Sequence, residues 1–130
     1  MRRMEFDELQ EFKKDLKKLS KRYKSLPEDL ETIKKVLKVN PKARPPFSFN
    51  IDGLGIKDGV IKVKKIACKS LKGKGVNTGL RLVYAHFQKD LEECKNDGIV
   101  MDKEKIIFVE LYHKNDKAKE NKERILKYFE

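Results

Sequence analysis

A chain of 130 residues, 38% of them hydrophobic, is the size of one domain and carries enough apolar material for one core. Lys and Arg exceed Asp and Glu by 32 to 21, a net charge of +11 that favours a polyanion as partner. Two cysteines give no disulfide framework, Glu5, Asp7, Glu8 and Glu11 break up any N-terminal signal sequence, and no apolar run reaches membrane-spanning length. The expectation is a single cytoplasmic domain over residues 1–130.

Met4–Phe6 reads as the end of a short first strand. Leu9, Phe12, Leu16, Leu19, Tyr23 and Leu26 then recur at spacings of 3 and 4, one apolar stripe on a helix. Lys13, Lys14, Lys17, Lys18, Lys21 and Lys24 fill its other faces. The stripe is too short for a coiled coil, which points to packing on a sheet or a neighbouring helix. Ser25-Leu26-Pro27-Glu28 fits a capping box with Ser25 as N-cap. The helix that follows presents Leu30, Ile33, Val36 and Leu37 on one face and stops at Asn40-Pro41. Two helices joined by so short a turn form an antiparallel hairpin. Lys42–Pro46 is a connector, because Pro45 and Pro46 cannot continue a helix.

From Phe47 the period changes to that of strands. Phe47, Phe49 and Ile51 alternate, and Asp52-Gly53 and Asp58-Gly59 mark turns. Val60–Cys68 is a strand, Lys69–Gly79 a flexible basic loop with three glycines, and Leu80–Phe87 another strand. Gln88–Lys103 is an acidic excursion with a helical turn at Lys89–Lys95. Lys105–His113 is the clearest strand. Asn115 or Asp116 then caps a last helix with Ala118, Ile125 and Phe129 on its apolar face and Leu126 beside them. Grouped strands joined by turns imply an α+β fold. The expected architecture is an N-terminal helical hairpin on a mainly antiparallel twisted sheet of three to five strands, followed by a C-terminal helix. The helices cover one face of the sheet, and the other is free to carry function.

The charge is concentrated. Residues 47–81 hold 8 basic and 2 acidic groups, whereas residues 82–130 hold 10 and 11. On a strand Lys62 and Lys64 point the same way, and an anion between them relieves their repulsion; the same lysines also suit a solvated sheet edge. Lys65 follows directly. Arg81, flanked by apolar residues, can grip a phosphate with two parallel hydrogen bonds or form a structural ion pair with Glu110 or another carboxylate. Lys69, Lys72 and Lys74 suit non-specific phosphate contact. His113, beside Lys114, can move protons near neutral pH or simply end a strand, while Glu110 and Tyr112 share the strand's other face. Cys68, Cys94, His86 and His113 lack the spacing of a zinc site, so no metal or other cofactor is expected.

Together these parts resemble the RelE/ParE superfamily of toxins from type II toxin–antitoxin modules. The residues that carry the resemblance are the helical hairpin, the Lys-Val-Lys strand, Gly79-Leu80-Arg81-Leu82-Val83-Tyr84, and the ending from Phe108 to Lys117. The resemblance implies a ribosome-dependent, metal-independent mRNA endoribonuclease in which the RNA 2′-hydroxyl attacks the adjacent phosphate. Lys62 and Lys64 match the family's strand lysines and Arg81 its phosphate-binding arginine, with His113 or Glu110 moving protons. Lys65, Lys69, Lys72, Lys74 and Lys114 would hold RNA. Where the family usually has another arginine or a histidine after the last strand, and often a tyrosine in the final helix, the aligned positions here are Asn115 and Asn121. The implied partners are mRNA, the ribosome and a cognate antitoxin, expected to be acidic. ParE-type members share the fold, lack the nuclease set and act on DNA gyrase, and a catalytically inert RNA- or antitoxin-binding domain is the third expectation.

Overall fold

The computed structural model describes residues 2–51, 59–89 and 102–129. Strand β1 (Arg2–Glu8) leads into helix α1 (Gln10–Arg22) and helix α2 (Leu26–Val39). Strands β2 (Ser48–Asn50), β3 (Gly59–Val63), β4 (Leu80–Lys89) and β5 (Asp102–His113) follow, and helix α3 (Lys122–Phe129) ends the chain. The sheet order is β1-β5-β4-β3-β2. β2 through β5 pair antiparallel, while β1 runs parallel to β5, from Arg2 opposite Asp102 to Glu8 opposite Phe108. The α+β fold, the helical hairpin and the mainly antiparallel sheet are as the sequence implied. The expected turns at Asp52-Gly53 and Asp58-Gly59, and the helical turn over Lys89–Lys95, fall wholly or largely outside the described residues.

Alternation along the strands divides the core in two. Ile61, Val63, Leu80, Leu82, Tyr84, Ile106, Phe108 and Leu111 pack with Phe12, Leu19, Leu30, Ile33 and Leu37 of the hairpin. Val60, Val83, Ala85, Val109 and Tyr112 face the other way and pack with Ile125 of α3. The helices therefore cover both faces of the sheet, not one. This corrects the expectation of a wholly free face and explains the unbroken apolar runs of β4 and β5, which are central strands buried on both sides. Ile125 is fully buried and anchors α3.

Two local expectations are also corrected. Ser25 makes no capping bond to α2; its backbone is already helical there. Its hydroxyl instead donates to buried Asp29 at 2.8 Å and accepts from the Ser70 backbone N–H at 2.8 Å, so the corner of the hairpin is latched to the 68–70 segment. The last helix starts at Lys122 rather than near Asn115, and Asn121 Oδ1 accepts the Arg124 N–H at 3.1 Å as an N-cap does.

β1 covers one edge of β5 only as far as Phe108. Beyond it the backbone would have unmet hydrogen-bonding groups. Asp15 of α1 accepts the Leu111 N–H at 3.2 Å, and Arg124 of α3 donates to the Val109 carbonyl at 3.0 Å. The two side chains also pair with each other at 2.7 Å and clamp α1 to α3 across the strand edge. Asp15→Ala should lower unfolding stability by about 1–3 kcal/mol, because it strands a backbone donor and a guanidinium. Arg22→Ala breaks the 3.1 Å pair with Asp116, whose partners are 56% and 52% exposed, and should cost less than about 1 kcal/mol. Urea titration of the two variants checks the difference.

Candidate nucleic-acid interface

β3 sets Lys62 and Lys64 on the face opposite Ile61 and Val63, which belong to the hairpin core. β4 does the same for Arg81, which lies between buried Leu80 and Leu82 and opposite Tyr112 of β5. All of these side chains point to the α3 side. α3 packs there through Ile125 with Val60, Val83, Ala85, Val109 and Tyr112. Past it lies a cleft of about 250 Å³, lined by Pro46, Phe49, Lys64, Lys65, Asn77, Arg81 and Lys114.

The cleft is preorganised. One terminal nitrogen of Arg81, Nη1, donates to the carbonyls of Lys64 at 3.1 Å and Leu80 at 3.2 Å, which fixes the guanidinium plane. Its remaining N–H groups have no carboxylate partner among the described residues. The Lys64 ammonium sits 4.9 Å over the Phe49 ring, a cation–π contact that orients it. Lys65 donates to Asn77 Oδ1 at 2.8 Å. Asn77 arrives there because its N–H bonds the Lys74 carbonyl at 3.0 Å and it bridges Ile66, while Thr78 Oγ1 donates to the Ile66 carbonyl at 2.6 Å. The segment read as a flexible loop is thus a series of tight turns that fold back on β3.

Not every expected residue belongs to the cleft. Lys62 is on the right face but pairs with Glu120 at 2.8 Å, the two being 18% and 9% exposed. Burial pushes the Glu120 carboxyl up, but the hydrogen bond and charge of Lys62 outweigh it, and the group ends below the usual carboxylate range. Glu110 shares the face yet is buried under Lys117, with which it forms an ion pair, and it accepts the Asn121 N–H at 2.7 Å. Burial holds the Lys117 ammonium below the usual lysine range, helped by the Arg124 charge. His113 lies on the opposite, hairpin side. Its Nδ1 accepts the Asn115 N–H at 3.1 Å, so Nε2 carries the proton and donates to the Thr78 carbonyl at 3.0 Å. Its ring stacks on Tyr23 with centroids 6.3 Å apart. Both ring nitrogens and one ring face are therefore engaged in holding the fold. Lys69 pairs with Glu28 at 3.0 Å, and Lys72 and Lys74 are exposed beyond the cleft lining.

Phe49, Pro46 and Asn77 were not among the residues expected at the site. Tyr112 is a further neighbour. Its phenol is pushed up to about 12, by burial first and then by the Glu120 charge, against the pull of the Arg81 guanidinium. At neutral pH it is therefore a hydroxyl donor beside Arg81. Among the described residues no group of three or more His, Cys, Asp and Glu is placed to hold a metal ion, and no helix is long and apolar enough to cross a membrane.

No protein-family model, no curated protein and no solved structure matches this chain.

Gly79, just before β4, supports this arrangement by its lack of a side chain. Its φ is +84°, and a Cβ there would meet His113 Nε2 at 2.8 Å. Gly79→Ala should cost about 2–3 kcal/mol, from the backbone strain and the clash together. His113→Ala in the same chain should recover part of that loss, which a double-mutant cycle by urea unfolding would show as non-additivity. The Glu120 pair sets a pH dependence. Because its folded pKa is depressed, its stabilisation is complete above the ordinary value of 4.5 and is lost as pH falls through the lower folded value. The stability gap between the native chain and Glu120→Gln should therefore be open at neutral pH and narrow on acidification below about 4.5.

Proposed function

We propose that this chain is an RNA-cleaving toxin of the RelE type, acting on single-stranded message without a metal and held in check by an acidic antitoxin. The observation that carries this reading is the convergence of Lys64, Lys65, Arg81 and Lys114 on one cleft whose lining contains no carboxylate and whose wall is the Phe49 ring. Cations crowded together in a preformed hollow repel one another unless an anion lies between them. A phosphodiester is such an anion, and a ring beside it gives a neighbouring unstacked base a surface to stack on. A duplex offers no such base, so the chemistry favours a single strand.

Cleavage needs little more than these groups. The 2′-oxygen attacks phosphorus, the P–O5′ bond breaks, and the products are a 2′,3′-cyclic phosphate and a 5′-hydroxyl. Arg81 and Lys64 stabilise the extra negative charge on the phosphorane oxygens. A lysine ammonium of the cleft protonates the departing 5′-oxygen, and the 2′-proton leaves to water at the open mouth. His113 and Glu110 take no part, since each is already committed to the fold.

That commitment also favours a second reading, in which the same cleft binds RNA without cutting it. The two are separated by incubating the purified chain with RNA, free and on translating ribosomes. The first predicts fragments ending in a 2′,3′-cyclic phosphate, and Arg81→Ala should slow their formation by about 100-fold or more. RNA that is bound but uncut in both settings supports the second reading and contradicts the first.

A further inference from the structure

A second cationic surface lies on α1, away from the cleft. At roughly 100° per residue, Lys13, Lys14, Lys17, Lys18 and Lys21 occupy one arc of roughly 140° on the side of the helix opposite its core residues. Phe12 and Leu19 are buried in the core, and all five lysines are exposed. Lys13 and Lys17, Lys14 and Lys18, and Lys17 and Lys21 stand four apart, a spacing at which like charges weaken a helix. The helix's own carboxylates offset this only in part: Glu11 and Asp15 stand three residues from Lys14 and Lys18, and Asp15 shares a hollow with Lys18, but both carboxylates are bonded elsewhere. Glu11 accepts from Tyr128 Oη at 2.7 Å, and Asp15 from Arg124 at 2.7 Å, both on the flank that meets α3. Among the described residues none of the five lysines has an ion-pair partner.

We infer that this stripe is a docking surface for the phosphate backbone of a folded RNA, separate from the cleft and on the opposite face of the sheet. The naming of RNA rests on the reading of the cleft. The stripe itself rests on charge and placement. Successive helical turns are about 5.4 Å apart, so the stripe presents a regular row of cations suited to a regular row of anions. A protein partner is disfavoured because lysine is depleted at protein interfaces and the stripe has no apolar centre. A membrane surface is disfavoured because the apolar side of α1 is used up in the core and nothing is left to insert. The two surfaces together would let the protein hold a structured RNA by α1 while the cleft takes a single strand.

The test replaces Lys14, Lys17, Lys18 and Lys21 with glutamine, which keeps helix propensity and removes the charge. Binding of a stem-loop RNA and of a short single-stranded oligonucleotide is measured by fluorescence anisotropy across a salt series. The inference predicts that the variant binds the stem-loop at least about tenfold more weakly and that its log–log salt slope shrinks by about 3, with the short oligonucleotide unaffected. Arg81→Ala should do the reverse. Failure of that arm alone would count against the cleft and leave the stripe standing. An unchanged stem-loop affinity and slope in the glutamine variant would overturn the inference. So would loss of binding to poly-glutamate with stem-loop binding retained, since that would make the stripe a protein-docking surface. The thermal midpoint of the variant should hold or rise as the repulsion is relieved, and a fall would contradict the repulsion itself.

Discussion

The arrangement of this protein depends on the register of β4 against β5. Arg81 stands opposite Tyr112 and Val83 opposite Glu110, but Tyr84 stands opposite Phe108. One extra residue, Val109, is accommodated in β5 as a bulge. A one-residue slip exchanges the two faces of a strand, so the bulge decides what each side of β5 displays. It sends Ile106, Phe108 and Leu111 to the hairpin core and Val109 and Tyr112 to α3. It also turns Glu110 toward α3, where it meets Lys117, and His113 toward the hairpin, where it meets Thr78 and Tyr23. The cleft has its composition because of this: arginine and lysine on one face, and the strand's histidine on the other.

Charge is managed differently in different places. Around β5 and α3 each deeply placed carboxylate has a partner, as Glu110 has Lys117, Glu120 has Lys62 and Asp15 has Arg124. These pairs tie α3 and its connector to the sheet and to α1. In the cleft the pattern is the reverse. Arg81 spends one terminal nitrogen on backbone carbonyls, and Lys64 rests on a ring rather than on a carboxylate. The fold neutralises positive charge where it needs rigidity and leaves it uncompensated where an anion would bind.

The fold class was legible because strong periodic signals survive any tertiary context. The 3- and 4-residue spacing from Leu9 to Leu26, the apolar face of Leu30, Ile33, Val36 and Leu37, and the apolar run of Ile106–Val109 sufficed for the hairpin and the principal strand. The side on which α3 packs was not legible, since helix amphipathicity says that a face is buried and not against what. Lys64, Arg81, Lys65 and Lys114 could be found from charge and strand parity. Asn77 could not, because it reaches the cleft through the tight turns between Lys69 and Gly79, and those turns depend on Gly73, Gly75 and Gly79 at positive φ. Phe49 had the period of a strand, but alternation alone does not say that its ring borders a cluster of lysines. His113 and Glu110 were attractive as proton carriers for the same reason that they serve the structure: a buried polar group near the end of a strand must satisfy its hydrogen bonds, and here both do so within the fold.

The central claim is that the hollow beyond α3 is built for a single-stranded phosphodiester. Titration of a short unstructured RNA into isotopically labelled protein, followed by backbone amide and side-chain NMR shifts, tests it most directly. The account predicts saturable, salt-sensitive shifts confined to Phe49, Lys64, Lys65, Asn77, Arg81 and Lys114, with the Thr78–His113 contact undisturbed. Shifts centred elsewhere, or none at all while the RNA is in excess, would contradict it.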